Sequence, residues 1–181
     1  TDGGTSFTNR TTANGLGHNS TYVVYAEGAT VYVATNNGLS ISTDGGASFS
    51  NRTTANGLGS NLVIGISVVG TTVYAATTNG LSISTDGGLT FTNRTTANGL
   101  GFNYLFGVQA IGATVYVATH TGGLSISTDG GASFITRTTA NGLGNNDVVA
   151  VHVVGTTVYA ATISGLSIST DGGANFTNRT A

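Results

Sequence analysis

The stretch "GLSISTDGGASFSNRTTANGLG", Gly38–Gly59, decides how this chain folds, because the chain repeats it. It returns from Gly80 and from Gly123 with few changes and, truncated, from Gly165. Its second half also opens the chain as "TDGGTSFTNRTTANGLG". The Asp-Gly-Gly triplets at Asp2, Asp44, Asp86, Asp129 and Asp171 are spaced 42, 42, 43 and 42 residues apart. A fixed period of about 40–45 residues belongs to propeller blades or helical solenoids. The unit is rich in Gly, Thr, Ser and Val, holds hardly any strong helix formers and carries no 3.6-residue apolar stripe, so the helical alternative falls. The one extra residue lies at His120-Thr121-Gly122-Gly123, where the other copies read "TNNG", "TTNG" and "TISG".

Each unit predicts four short strands, which we letter A to D. In the first copy these are Thr21–Ala26, Thr30–Thr35, Leu39–Ser42 and Ser48–Thr53. Strand B, "TVYVAT", is β-branched and aromatic, and strand C puts Leu39 and Ile41 on one face by its period of two. The breaks at Glu27-Gly28, Asn36-Asn37-Gly38 and Asp44-Gly45-Gly46, with the "ANGLG" linkers, are turn chemistry. Three tight turns make a four-stranded antiparallel meander, so the chain is all-β and each unit is one propeller blade. The expected division is 1–17 as an extra outer strand of a preceding blade, then blades at 18–59, 60–101, 102–144 and 145–181.

Ser42, Asp44, Gly46 and Phe49 follow the pattern Ser-x-Asp-x-Gly-x-x-aromatic. It recurs at Ser84, Asp86, Gly88 and Phe91, at Ser127, Asp129, Gly131 and Phe134, and at Ser169, Asp171, Gly173 and Phe176; the N-terminal copy keeps Asp2 but lacks the leading Ser. These units resemble the Asp-box (BNR) repeats of sialidases, xyloglucanase-type glycosidases, sortilin-like receptors and photosystem II assembly factors. The resemblance covers the whole chain and implies a β-propeller. It departs in its aromatic, which is Phe where Trp is usual. Mechanically, the box Asp is expected to accept backbone N–H bonds across the C–D turn. The Phe is expected to pack between blades. One carboxylate per loop is too few for Ca²⁺, which takes about six to eight oxygens.

Composition excludes several functions. Five Arg, no Lys and seven acids give a net charge of −2, which leaves no basic face for nucleic acid. With no Cys there is no disulfide framework and no thiolate metal site. No apolar run approaches the roughly 18 residues of a membrane span. The Thr/Ser/Asn-rich, Lys-free composition points to a secreted or surface protein of bacterial type. The chain starts inside a repeat without Met, as a processed or excised piece would.

Differences among copies concentrate before and within strand A, around the fixed Asn19, Asn61, Asn103 and Asn146. Strand A lines the axis of a propeller and the loop before it lies on one rim, where propellers commonly bind. The candidate binding residues are therefore His18, Ser20, Tyr25, Glu27, Phe102, Tyr104, Gln109, Asp147 and His152. No catalytic, metal or cofactor site is expected. Outside the boxes only Glu27 and Asp147 are acids, at opposite ends of their A strands. The resemblance to sialidases implies an arginine trio, yet Arg10, Arg52, Arg94, Arg137 and Arg179 all take one strand D position, read as a solvated ring of charge at the outer edge. His18, His120 and His152 share no ligand spacing. Tyr32, Tyr74, Tyr116 and Tyr159 are constant and read as packing. The sequons at Asn9, Asn19, Asn51, Asn93 and Asn178 follow from the repeat.

Strand D occurs five times and strands A to C four times, which raises self-association or membership in a longer repeat protein. The expected function is a non-enzymatic extracellular module that recognises a glycan or protein, or a surface scaffold. The alternatives are a fragment of an Asp-box glycoside hydrolase whose catalytic residues lie in other blades, and a purely structural or designed repeat.

Overall fold

The computed structural model describes residues 4–179 and contains four sheets of four antiparallel strands, each strand paired with its sequence neighbour. The first holds β1 (Thr21–Glu27), β2 (Thr30–Thr35), β3 (Gly38–Ser42) and β4 (Ser50–Arg52). The second holds β5 (Val63–Val69), β6 (Thr72–Thr77), β7 (Gly80–Ser84) and β8 (Thr92–Arg94). The third holds β9 (Leu105–Ile111), β10 (Thr114–Thr119), β11 (Gly123–Ser127) and β12 (Ile135–Arg137). The fourth holds β13 (Val148–Val154), β14 (Thr157–Thr162), β15 (Gly165–Ser169) and β16 (Thr177–Arg179). Asp2 lies outside the described residues.

Strand D is shorter than its sequence suggests for two reasons. At its start Ser48 is drawn into the Asp-box, where its N–H donates to Asp44 Oδ1 at 3.0 Å and its hydroxyl to Asp44 Oδ2 at 2.6 Å. At its end Thr53 caps a one-turn 3-10 helix, Thr54–Asn56, inside what the sequence presents as a plain linker. The Thr53 hydroxyl accepts from the Ala55 N–H, Asn56 reaches back to the Thr53 N–H, and Gly57 ends the turn at φ 94°. The same capped turn stands at Thr12–Asn14, Thr96–Asn98 and Thr139–Asn141. The invariant Asn61 braces it, its Oδ1 accepting from the Thr54 N–H at 2.8 Å.

The core lies between blades. Tyr32, Leu39 and Ile41 of the first blade pack with Leu58 of the linker and with Val63, Ile66 and Phe91 of the second blade. Tyr74, Leu81 and Ile83 meet Leu100, Leu105 and Phe134 at the next joint, and Tyr116 and Leu124 meet Leu143, Val148 and Phe176 at the third. Phe91, Phe134 and Phe176 therefore pack between blades, each buried side chain of this size contributing about 1.5–3 kcal/mol.

Three polar and steric details repeat at every joint. The Tyr32 hydroxyl donates to the Gly87 carbonyl at 3.3 Å, and Arg52 Nε donates to the Gly88 carbonyl at 3.0 Å. Ile41 lies directly over Gly88, where a Cβ would come 2.6 Å from Ile41 Cδ1, so the last Gly of the box makes room for the neighbouring blade. Three of the five arginines thus do not belong to a solvated ring, while Arg10 and Arg179 are exposed. Arg52, Arg94 and Arg137 are half-buried and clamp the next blade's box turn through its carbonyl. The sequon nitrogens of Asn51, Asn93 and Asn178 are likewise engaged, donating to the B–C turn carbonyls of Asn37, Asn79 and Ser164.

The Asp-box behaves as its residues predict. Ser42 Oγ donates to Asp44 Oδ1 at 2.7 Å and accepts from the Gly46 N–H at 2.8 Å, stitching strand C to the turn. Bonds to the charged carboxylate hold Asp44, Asp86, Asp129 and Asp171 well below the usual carboxylate range. For Asp44 the Ser48 hydroxyl contributes most, then Ser42. For Asp86 and Asp129 the order is the box Ser, then Thr90 or Ser133; for Asp171 it is Ser169, then the Asn175 backbone N–H. A depressed folded pKa stabilises the fold fully above the unfolded value near ~3.9, and that stability is lost as pH falls through the folded one. The melting temperature should therefore be level from pH 7 to 5 and drop steeply below pH ~4. Asp86→Asn should flatten that drop in a thermal scan series; an unchanged slope would deny the boxes this role.

The two ends of the array are uncovered. Leu39, Leu81 and Leu124 are fully buried, but Leu166 at the same position of the fourth blade is 40% exposed. On the first blade the inner strand β1 is largely exposed, with Val24 at 65%. The first and last blades do not cover one another.

Candidate functional site

The meander places the loop before strand A and the B–C turn at one end of every blade, and the A–B turn and Asp-box at the other. Strand A carries a register shift in every sheet, at its rim end. Backbone bonds tie the rim together. Within a blade the His120 N–H donates to the Tyr104 carbonyl at 2.9 Å, and across blades the Gly123 N–H donates to the Asn146 carbonyl at 2.7 Å.

On this rim the third and fourth blades bring five side chains together. Phe102, Tyr104 and Phe106 alternate along the approach to and start of β9, so the period of two stacks them on one side. His120 reaches over from the B–C turn. Its ring centroid lies 5.8 Å from Phe102, 5.7 Å from Tyr104 and 5.7 Å from Phe106, and Tyr104 lies 5.4 Å from Phe106. The tilted and edge-on geometries are those aromatic rings prefer. From the fourth blade Asp147 Oδ2 comes within 3.6 Å of His120 Nε2. Its other oxygen, Oδ1, is buried and has no hydrogen-bond partner among the described residues. Phe102 is 44% exposed, so the cluster opens to solvent on its aromatic side.

Variation among the copies singles out Phe102, Tyr104 and Asp147, but it leaves His120 apart in its turn and passes over Phe106. Two signals in the sequence mark the cluster. The inserted residue sits beside His120, and Thr121, at φ 58°, is the non-glycine residue with positive φ among those described. Only this copy puts three aromatics at the alternating positions, where the others read His18/Ser20/Tyr22, Ser60/Leu62/Ile64 and Asn145/Asp147/Val149.

The other candidates do not join it. His18 and Ser20 share the rim, but on the first blade, where His18 Nδ1 accepts from the Ser20 N–H at 2.9 Å. Tyr22 there donates to Asn36 Oδ1 at 2.5 Å. Tyr25 and Glu27 lie toward the opposite end and bond each other at 3.2 Å. Gln109 bridges blades: its Oε1 accepts from the Val153 N–H at 2.8 Å and its Nε2 donates to the Val153 carbonyl at 3.4 Å. His152 is exposed and pairs in register with Tyr159, away from the rim. No group of three or more metal-ligating side chains exists among the described residues. Nor is any helix among them long and apolar enough to cross a membrane.

No family model and no curated protein matches the chain. Solved structures do. An ancestral GH74 enzyme superposes with a TM-score of 0.73 at 23% identity, over 90% of this chain and 24% of the enzyme. The extracellular domain of the putative hybrid two component system BT3049 from B. thetaiotaomicron gives 0.73 at 21% identity, over 98% of this chain and 25% of that one. YCF48 bound to D1 peptide gives 0.64 at 15% identity, over 87% of this chain and 54% of that one. The chain thus spans about a quarter of the first two. Its fold is a run of Asp-box β-propeller blades, of the kind these enzymes, extracellular domains and YCF48 proteins share.

Proposed function

We propose that the chain is a non-enzymatic recognition module of an extracellular protein, and that the rim around His120 holds a sugar residue. The observation that carries this is the five-residue cluster of Phe102, Tyr104, Phe106, His120 and Asp147. Aromatic faces suit the C–H face of a pyranose. A buried carboxylate oxygen without a donor suits a hydroxyl, because an unsatisfied buried acceptor loses about 1–3 kcal/mol that a ligand hydroxyl restores. Exposed aromatic surface with a few convergent polar groups is the usual make-up of a small-ligand site.

One observation favours recognition over hydrolysis. Glycoside hydrolysis takes two facing carboxylates about 5–9.5 Å apart. Outside the boxes the acids are Glu27 and Asp147, on the first and fourth blades and at opposite ends of them. Similar folds in extracellular domains of B. thetaiotaomicron proteins support the location.

Screening on a glycan array, followed by calorimetry on the best binder, tests the reading. Phe102→Ala and Asp147→Asn should each weaken binding about tenfold or more, equivalent to ~1.4 kcal/mol. His18→Ala, on the same rim two blades away, should leave it unchanged. Absence of glycan binding, or binding indifferent to Phe102 and Asp147, would sink the proposal.

A further inference from the structure

We infer, resting on the sugar-binding reading above, that the sugar this rim takes is an amino sugar with a free ammonium group, and that His120 fills the ammonium's place until it arrives. Three rings and one carboxylate converge on a single point. The imidazole centre of His120 lies 5.8 Å from that of Phe102 and 5.7 Å from those of Tyr104 and Phe106. A cation is attracted to an aromatic ring from within about 6 Å of its centroid. Asp147 Oδ2 stands 3.6 Å from the same imidazole, and Asp147 Oδ1 is buried without a hydrogen bond among the described residues. Such a surround stabilises positive charge at its centre. The group placed there is the one side chain of the cluster able to carry it.

Fixed positive charge lies elsewhere. The chain has no Lys. The nearest blades' Arg94 and Arg137 donate through Nε to the carbonyls of Gly131 and Gly173, in box turns at the opposite end. The box carboxylates lie at that end too. Asp147 therefore has His120 as its ion-pair partner among the described residues. An anionic sugar would meet an uncompensated carboxylate here. A neutral sugar would leave that carboxylate uncompensated whenever the imidazole is neutral, and a buried charge without a partner is costly. An ammonium both pairs with it and donates to it, in the way that makes charged hydrogen bonds the stronger kind.

His120 is held loosely enough to give way. Its side chain is 44% exposed, and 3.6 Å is longer than a hydrogen bond. Its backbone is fixed, the His120 N–H bonded to the Tyr104 carbonyl at 2.9 Å and the Gly123 N–H to the Asn146 carbonyl at 2.7 Å. Rotation of the side chain alone, with the turn in place, uncovers the rings and the carboxylate together. The ammonium then lies against Asp147 and the pyranose against the exposed Phe102.

Hexasaccharides of glucosamine, N-acetylglucosamine and glucose test this. They share one β-linked pyranose chain and differ in bearing an ammonium, an acetamide or a hydroxyl at one carbon. Calorimetry at about pH 5.5, where the sugar amines are protonated, should show the glucosamine chain binding at least about tenfold tighter than either neutral chain. Asp147→Asn should bring the glucosamine and glucose chains to the same affinity. His120→Ala should tighten the glucosamine chain about tenfold and leave the glucose chain unchanged, with the β circular dichroism spectrum retained. His120→Gln, which keeps an uncharged side chain over the rings, should act in the same direction. Equal affinity for the charged and neutral chains would overturn the inference while leaving the sugar reading intact. So would a preference that survives Asp147→Asn, since general attraction of a polycation to an acidic chain would then explain it, or weaker glucosamine binding in both His120 variants. Binding of none of the three, together with a blank glycan array, would overturn the inference and the sugar reading alike.

Discussion

Replacing Gly99 with alanine should lower the melting temperature by roughly 10 °C, with the β circular dichroism spectrum retained at low temperature. Two penalties combine. Gly99 sits at φ 92°, closing the 3-10 turn Thr96–Asn98, and a side chain held there costs about 1–3 kcal/mol. Its Cβ would also press on the backbone carbonyl of Phe134, which cannot retreat because the Phe134 N–H is bonded to the Asn98 carbonyl at 2.9 Å. Overpacking against fixed backbone adds about 1–3 kcal/mol. Gly112 separates the two. It has φ 57° but open space around it, so Gly112→Ala should carry the conformational penalty alone. If both variants melt together, the linker does not press on the next blade as the structure has it.

One substitution made at two equivalent sites should give two different results. Leu81→Ala, in the cluster between the second and third blades, should cost about 2–5 kcal/mol, because Leu81 is fully buried and the cavity cannot collapse between two sheets. Leu166→Ala, at the same place in the fourth blade, should cost under about 1 kcal/mol in the single chain, since Leu166 is 40% exposed. Urea titrations of the two variants read both. Equal costs would mean that the fourth blade's face is covered within one chain.

The periodic residues carried most of the fold. Alternating Leu39 and Ile41, the turn glycines and the four repeated boxes each act through neighbours close in sequence, so strand order follows from them directly. The 3-10 turn within "TTANG" was harder to see, because Thr and Asn serve caps and loops equally well, and only the reciprocal bonds of Thr53 and Asn56 separate the two. Arg52 misled for a different reason. Its place at the outer edge of one blade is evident from the repeat, but the carbonyl that receives it belongs to a residue 36 positions later, on another sheet. The site suffered likewise. His120 and Asp147 meet across a blade joint, and Gln109, whose variability marked it as a binder, turned out to bond the backbone of Val153. Copy-to-copy variation finds positions freed from the repeat; it does not tell a ligand contact from a private brace between two blades.

The sameness of the three joints has a consequence for how such a chain changes over generations. Every blade offers the same Tyr, Ile and Arg to the same box turn, so duplicating or deleting the DNA for one 42-residue unit preserves that shared part of the joint. Blade number becomes the easiest thing to alter, easier than any single buried side chain. The rim cluster behaves oppositely. It needs the third blade's inserted residue beside the fourth blade's Asp147, so an unequal exchange between those two units separates its halves while leaving the scaffold intact. A gene of this design can lengthen freely, yet it can lose its rim cluster in one recombination event.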